Sequence, residues 1–561
     1  MDNQRLMIWA FFGLMAWITY QTWVQDYAPR PAAVTPQQVE QMTATPDAAE
    51  LPELAAPTPG ALDAPVALEN AVPEVASPSS TAPTILVSTD VFDIVISTEG
   101  GTLQSASLKK YPIAKDKPDE LIKLLSTDAD NLGLIQTGLR IVGDGEEPNH
   151  RALFNSRSTR YELGGNDELV VPLTWQSADG VIVEKRFRFT RGNYGFSIEQ
   201  KITNNSANPW RGAEYAQIQR YSREMERSMF DVDSYSFSGP IIYDGTKSEK
   251  LKRDDLQDDG AYQFKTDAGW LGAIQHHFLS AVIPPPGSPQ SYRVSVAGDR
   301  STASTIGQAQ TVAPGASTTF ITTTFVGPKL QAQLVEIDET LKLTVDYGWL
   351  TIISNPLFWL LSIVFDFVGN WGVAIIFVTF LIKLVFYKLT ESSGRSMAKM
   401  RNLQPRMKAL QERYKDDKPA LSSAMMDLYK REKVNPAAGC LPILIQMPFF
   451  LAFYWVLLES VEMRQAPFAL WITDLSTKDP YFILPLIMGA AMFVQQKLNP
   501  APTDPVQAKV MQIMPIMFTA FFAFFPSGLV LYWVTNTLLS IAQQWKINRV
   551  VEMEAKAAKQ R

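Results

Sequence analysis

The sequence contains one cysteine, Cys440, and three histidines in 561 residues. A single cysteine excludes an intrachain disulfide. His276 and His277 are adjacent, and adjacent side chains on a regular strand point to opposite faces, so the two cannot ligate one metal there. His150 lies in a polar stretch. The apolar segments also lack a P-loop, a metal-ligand cluster and a paired nucleophile and base. We therefore expect that the protein is not an enzyme and uses neither a cofactor nor a metal.

Basic residues are missing from a long part of the chain. Residues 31–108 contain no Lys or Arg, whereas residues 388–433 contain twelve. The formal net charge of −6 conceals this asymmetry. Apolar residues concentrate at 6–24 and again beyond residue 347, and no internal repeat is evident. This distribution predicts a membrane protein that carries a large soluble insert.

The first 83 residues form two contrasting segments. Residues 6–24 are apolar and aromatic behind Arg5, and no small-residue cleavage site follows, which favours an uncleaved signal-anchor helix within 1–27 over a cleaved signal peptide. Arg5 is expected to keep the N-terminus in the cytoplasm. Residues 28–83 are rich in Pro and Ala and contain no aromatic residue. Such a composition predicts a disordered linker.

The hydrophobic period changes to two between residues 84 and 335. At 181–190 apolar residues alternate with charged ones, and the turn at 192–195 leads into a second alternating run, which predicts a hairpin. Similar runs occur at 91–98 and 318–326. We expect one large antiparallel sandwich on the side of the membrane opposite the cytoplasm. Carbohydrate or peptide binding on its sheet face remains open.

Residues 336–369 are predicted to link this domain to the membrane. Residues 329–343 have apolar positions at helical spacing. Residues 349–368 are rich in Trp, Leu and Phe but are broken by Asn355-Pro356. We interpret this stretch as a helix along the outer membrane interface, with a first membrane span as the alternative.

A membrane core is predicted over residues 370–546. Its first span is followed by a basic helical hairpin at 389–434. The positive charge of this hairpin indicates a cytoplasmic location. The methionines along the hairpin indicate that its two helices pack against each other there. The alternative is an adaptable surface that binds apolar segments of other proteins. Further apolar blocks occupy 440–461, 481–498 and 510–541, and Pro526-Ser527-Gly528 divides the last into two helices of about 16 residues each. Together with the signal anchor within 1–27, these make six spans, with a basic cytoplasmic tail at 547–561.

Polar side chains inside these spans are the candidate site. Lys383 and Thr379 share one helical face. An ammonium at the centre of a bilayer helix costs about 2.5 to 3.5 kcal/mol, so Lys383 either faces protein or water, or snorkels to the headgroups. The other members of the set are Gln446, Trp533 and Asn536. Their structural alternatives are a bond to a neighbouring helix for Gln446, packing for Trp533 and a local cap for Asn536. As a set with the cation, they favour a wet, positively charged cavity.

Such a cavity can hold the polar part of a polypeptide while the apolar segment of that polypeptide moves into the lipid. Burial of the apolar segment supplies the free energy. The cavity therefore indicates insertion of membrane proteins without nucleotide hydrolysis. Two other classes remain open on the residues alone. One is a transporter or channel for a small anion, with Lys383 as its binding charge. The other is a membrane-anchored carbohydrate-binding protein that acts through the soluble domain.

Short motifs throughout the chain resemble those of the bacterial YidC membrane protein insertases, a family shared with mitochondrial and chloroplast insertases. The resemblance covers nearly the whole chain apart from the linker. The motifs are STEGG at 97–101, TVDYGWL at 344–350, SMAKM at 396–400, KVNP at 433–436, LIQMP at 444–448, QAPF at 465–468 and FPSGL at 525–529.

The resemblance implies a five-helix core with a hydrophilic groove that is open to cytoplasm and lipid but closed toward the periplasm, and a periplasmic β-supersandwich. It also implies a multi-pass protein of the bacterial inner membrane, with both termini cytoplasmic and activity as a monomer. Expected partners are nascent inner-membrane proteins, the lipid bilayer, the Sec translocon, the ribosome and a targeting receptor. The groove cation maps onto Lys383, where the family often has Arg; Lys keeps the charge but loses the planar fork.

Overall fold

The computed structural model describes residues 82–143, 145–221, 236–415, 417–435, 441–499 and 505–560, with the short strand pair Ala55–Ala56 and Val66–Ala67. The predicted signal-anchor helix at 1–27 and almost all of the predicted linker at 28–83 lie outside the described residues. The chain divides into two compact units. The β unit comprises residues 44–346 and 459–462, and the helical unit contains residues 347–458 and 463–561.

The described part of the β unit from residue 84 onward has twenty strands, which begin and end within the predicted range of 84–335. The strands are β1 (Thr84–Ser88), β2 (Phe92–Ser97), β3 (Leu103–Ala114), β4 (Lys117–Leu125), β5 (Gly133–Ile141), β6 (Asn155–Ser156), β7 (Arg160–Glu162), β8 (Glu168–Gln176), β9 (Val181–Thr190), β10 (Gly195–Asn204), β11 (Trp210–Tyr221), β12 (Ser238–Tyr243), β13 (Ser248–Lys250), β14 (Tyr262–Thr266), β15 (Trp270–Gln275), β16 (Phe278–Ile283), β17 (Gln290–Ala297), β18 (Arg300–Gly307), β19 (Gln310–Val312) and β20 (Ser317–Pro328).

These strands form two large sheets. One has the order β13-β12-β15-β16-β20-β10-β9-β8-β6, and the other has the order β14-β17-β18-β11-β5-β3-β2-β1-β7, with β19 paired to β11 and β4 to β3. All described pairings are antiparallel except that of β1 with β7. The predicted antiparallel sandwich is therefore confirmed. A short helix, α1 (Arg253–Asp258), connects β13 to β14.

The hairpin of β9 and β10 shows how the alternating pattern sets the fold. Odd-numbered side chains of β9 are buried and even-numbered ones are partly exposed, because successive side chains point to opposite faces of a strand. Val181 pairs with Asn204 and Phe189 with Phe196. Gly192 has φ +73° in the connecting turn. The hairpin predicted from the sequence is confirmed.

The two adjacent histidines do not lie on a regular strand, so that premise of the sequence argument was wrong. They form the turn between β15 and β16, where His276 has φ +49°. Their rings stack with centroids 3.7 Å apart, which the positive φ of a tight turn permits. His150 is buried, and its Nδ1 lies 2.6 Å from the hydroxyl of Tyr215. Burial, aided by Arg151, lowers the pKa of His150 to about 3.

Lys185 is fully buried on β9, at a position where the alternation calls for an apolar residue. Its Nζ donates to the carbonyl oxygens of Gly100 and Thr137, at 2.6 and 2.8 Å. Gly100 and Gly101 have φ of +67° and +68°, and a Cβ on Gly100 would come within 2.3 Å of the His150 backbone. The STEGG motif is thus a close-packed turn that accepts a buried ammonium.

Replacement of Lys185 by Met is expected to reduce the pH dependence of stability. Burial lowers the pKa of Lys185 from 10.5 to about 7. Between these values the unfolded chain binds more protons than the folded chain, so stability rises with pH. From pH 7 to pH 9 the gain from this group is about 2 kcal/mol.

Thermal unfolding of the intact protein at the two pH values measures this gain. The increase in stability from pH 7 to pH 9 should be about 2 kcal/mol smaller in Lys185→Met than in the wild type. The matched control Lys201→Met, at an exposed position on β10, should keep it. An equal response of the wild type and Lys185→Met would contradict the prediction.

The segment after β20 contains two short helices where the sequence predicted one amphipathic stretch at 329–343. The first is α2 (Gln331–Ile337), and a 3₁₀ helix follows at Glu339–Thr344. Asp338 between them is extended, and its carboxylate accepts from the backbone N–H of Thr340 at 2.7 Å. This capping bond starts a new helix and so ends the first.

The helical unit contains eight described α-helices. A 3₁₀ turn, Gly348–Leu350, leads into the first. The helices are α3 (Thr351–Val368), α4 (Trp371–Val385), α5 (Tyr387–Arg413), α6 (Lys418–Arg431), α7 (Leu441–Glu459), α8 (Ile483–Leu498), α9 (Pro505–Phe522) and α10 (Ser527–Gln560).

Two helices differ from the expectation. α3 continues through Asn355-Pro356, because Pro356 lies near its start and costs one intrahelical hydrogen bond. α10 has 34 residues, so the estimate of about 16 was too short. It continues past Ile541 because Ile547 and Val551 are buried against Ala398 of α5, and it includes most of the predicted tail at 547–561.

Several helices of the helical unit expose apolar side chains and bury polar ones. Ile352 and Phe367 are 87% and 86% exposed, whereas Thr379 and Asn536 are 2% and 8% exposed. By length and hydropathy, the described residues contain one helix that could cross a bilayer, Gly348–Val368. The pair α4 and α5, bent by 70°, is a second candidate. Whether α3 spans the membrane or lies along its surface stays a prediction, as does the count of six spans.

The predicted hairpin at 389–434 consists of α5 and α6. Its seam contains buried Met400, Leu403 and Met407, with Met397 and Met425 packed against them. Arg406 of α5 donates to the carboxylate of Glu432 at 2.6 Å. These methionines therefore pack between the two helices, as the preferred interpretation expected.

Candidate functional site

Lys383 lies in the last turn of α4, and its ammonium reaches α10. Its Nζ donates to Oγ of Ser540 at 2.6 Å. The Ser540 hydroxyl in turn donates to the backbone oxygen of Asn536 at 2.7 Å. Among the described residues, no carboxylate lies within ion-pair distance of Lys383. The cation is thus held by a neutral hydroxyl between apolar helices.

The same site extends to α7 through two amides. Asn536 Nδ2 donates to Oε1 of Gln446 at 3.1 Å. Three of the five candidate residues, Lys383, Gln446 and Asn536, therefore belong to one polar network, joined by Ser540. This network connects α4, α7 and α10, which are far apart in the sequence.

The other two candidates do not hydrogen-bond to this network in the described structure. Thr379 is buried, and its hydroxyl donates to the carbonyl of Ile375 in its own helix at 2.6 Å. Trp533 packs among aromatic rings, with centroid distances of 4.9 Å to Phe450 and 5.4 Å to Phe522. The packing of Trp533 matches its structural alternative, and so does the bond of Gln446 to a side chain of a neighbouring helix.

Sequence reasoning missed the polar face of α10. Ser540 contacts Lys383, Gln543 donates to the hydroxyl of Thr390 at 2.8 Å, and Asn548 donates to the carbonyl of Leu498 at 3.3 Å. The available signal was the spacing of four between Asn536, Ser540, Gln544 and Asn548, which places them on one helical face.

The loop at 463–482 covers the opposite end of α4 and α10. Asn370, the N-cap of α4, donates through Nδ2 to the carbonyl of Phe468 at 2.8 Å. Ser527, at the start of α10, donates through Oγ to the carbonyl of Asp474 at 2.7 Å. A Cβ on Gly372 would meet the Phe468 ring at 2.2 Å. The loop therefore packs closely on the helix ends that lie far from Lys383.

No three His, Cys, Asp or Glu side chains in the described ranges are grouped so that they could hold a metal ion. What the site offers is one cation and several uncharged hydrogen-bonding groups. Such a set binds and orients polar groups.

A β-sandwich and a helical unit with a partly buried cation match the two parts that the resemblance to membrane protein insertases implies. The family model described as YidC periplasmic domain matches residues 84–360, and the model described as 60Kd inner membrane protein matches residues 363–556. The membrane protein insertase YidC of Thioalkalivibrio sulfidiphilus is 46% identical, over 99% of this chain and 100% of the relative. That of Nitrosococcus oceani is 44% identical, also over 99% and 100%.

The chain belongs to the YidC family of membrane protein insertases. It is an inner-membrane protein with a periplasmic domain, it acts on inner-membrane proteins, and its function is insertion rather than enzymatic catalysis. The resemblance drawn from the motifs is confirmed. The relatives support membrane protein insertion as the function, rather than transport of a small anion or carbohydrate binding.

Proposed function

We propose that a client's polar segment passes along the Lys383 network while its apolar segment moves into lipid along the outside of the helices. The observation that carries this proposal is the bond of Lys383 to Ser540, next to the Asn536–Gln446 pair, on helix α4, whose exposed side chains are all apolar. Thr379 and Trp533 are proposed to line the same groove. The contacts of the 463–482 loop support closure on the periplasmic side.

The driving force in this proposal is partitioning of the client. Leu, Ile, Phe and Val each contribute about −0.3 to −0.6 kcal/mol at the centre of a membrane helix, so 20 of them contribute about −6 to −12 kcal/mol. A charged side chain in transit costs about 2.5 to 3.5 kcal/mol. One apolar span therefore offsets the transfer of a short polar tail, and nucleotide hydrolysis is unnecessary.

The same proposal assigns orientation and partners. Basic residues of α5 and α6 support a cytoplasmic hairpin, which would contact the ribosome and a targeting receptor through its charge. Both termini would then be cytoplasmic. We propose activity as a monomer, alone or with the Sec translocon, and the boundaries given above for the membrane core, 370–546.

Site-directed crosslinking tests the route. A photoreactive residue at position 379 or 533 should crosslink to a stalled nascent membrane protein. The matched control is position 352, which is exposed on α3 and should crosslink to lipid. Crosslinks to the client from position 352 but from neither 379 nor 533 would contradict the proposed route.

A further inference from the structure

The environment of Ser540 gives its hydroxyl a fixed direction. Its single hydrogen is donated to the Asn536 carbonyl at 2.7 Å, so its lone pairs face the ammonium of Lys383 at 2.6 Å. The Asn536 carbonyl belongs to α10, and the Asn536 side chain is itself bonded to Gln446. The direction of the acceptor for Lys383 is therefore set by the backbone of α10.

Lysine needs such a partner more than arginine does. Its ammonium is a compact charge at the end of a flexible stem of four carbons. The described bond uses one of three N–H groups and leaves two for water or a client. Without the bond, the ammonium is free to extend along its stem toward the nearer membrane surface.

We propose that Ser540 is a positioning residue that fixes the Lys383 ammonium within the groove, so that acidic groups of a client meet a charge at a constant place. This inference rests on the proposed groove function. It assigns to Ser540 an effect that depends on client charge. A purely structural role would affect all clients equally.

The test compares two single-span clients that differ only in the translocated tail, one acidic and one uncharged, in reconstituted proteoliposomes. Ser540→Ala should slow insertion of the acidic client about threefold to tenfold more than insertion of the uncharged client. Ser540→Thr keeps the hydroxyl and should restore the rate. The matched control is Thr535→Ala, because the Thr535 hydroxyl donates to Leu531 in its own helix.

A double-variant cycle separates the possible failures. Ser540→Ala should add no further loss in a Lys383→Gln background, because both act through one ammonium. If Lys383→Gln slows the acidic client while Ser540→Ala does not, the positioning role is overturned and the groove stands. Equal slowing of both clients by Ser540→Ala also overturns it. If Lys383→Gln itself has no effect, the proposed function fails.

Discussion

Lys383→Glu is expected to reduce insertion of an acidic-tailed client more than about tenfold while the protein remains folded. A client carboxylate about 5 Å from the ammonium, at an effective dielectric constant of about 20, is attracted by about 3 kcal/mol. Glutamate replaces this attraction with repulsion. The measurement is the rate at which the client becomes protected from protease in proteoliposomes that contain the purified variant.

Two matched variants isolate the charge at this place. Lys383→Arg keeps the cation and should insert the client at close to the normal rate. Lys388→Glu changes a neighbouring exposed lysine and should have little effect on insertion. Equal losses in Lys388→Glu and Lys383→Glu would indicate that both lysines are headgroup anchors. Thermal unfolding checks that each variant is folded. Normal insertion by Lys383→Glu would refute the groove mechanism.

The sequence predicted those elements whose pattern is local. The β9–β10 hairpin follows from alternation over twenty residues, and α8 follows from an apolar block. Lys185 breaks the alternation without breaking the strand, because the carbonyls of Gly100 and Thr137 accept its ammonium. Those acceptors lie 85 and 48 residues away in the chain, so no local pattern reveals them.

The candidate site was predicted only in part, because its contacts also join residues that are far apart in the sequence. Lys383 stands out as a charge in an apolar run, whereas Ser540 is an ordinary residue for a membrane helix. Its role appears only when α4 and α10 are adjacent. Thr379 shares the helical face of Lys383, but its hydroxyl bonds to Ile375. Spacing gives the face of a helix, and packing decides which side chains on that face are available.

The length of α10 shows another limit of pattern reading. The apolar run ends at Ile541, and the following residues look like a polar tail. In the structure, Ile547 and Val551 pack against Ala398, and Arg395 donates to Glu554 at 3.2 Å. The helix continues because α5 provides a surface for it, and tertiary contacts of this kind contribute more to helix stability than propensity does.

The second large effect is expected from Lys329→Met in the β unit. Lys329 and Glu459 form an ion pair of 3.0 Å with side chains only 1% and 6% exposed. Burial lowers the pKa of Lys329, and Glu459 opposes that shift. Removing the lysine leaves a buried carboxylate without its cation, which costs about 3 to 5 kcal/mol.

Thermal unfolding of the intact protein in nanodiscs measures this loss, and a double variant tests its cause. Lys329→Met with Glu459→Gln removes both charges and should recover much of the stability, because the cost arises from the unpaired carboxylate. The matched control is Lys342→Met, in the solvent-exposed pair with Glu339, which should unfold almost like the wild type. A double variant as unstable as Lys329→Met would show that packing of the lysine stem, rather than charge pairing, stabilises this part of the β unit.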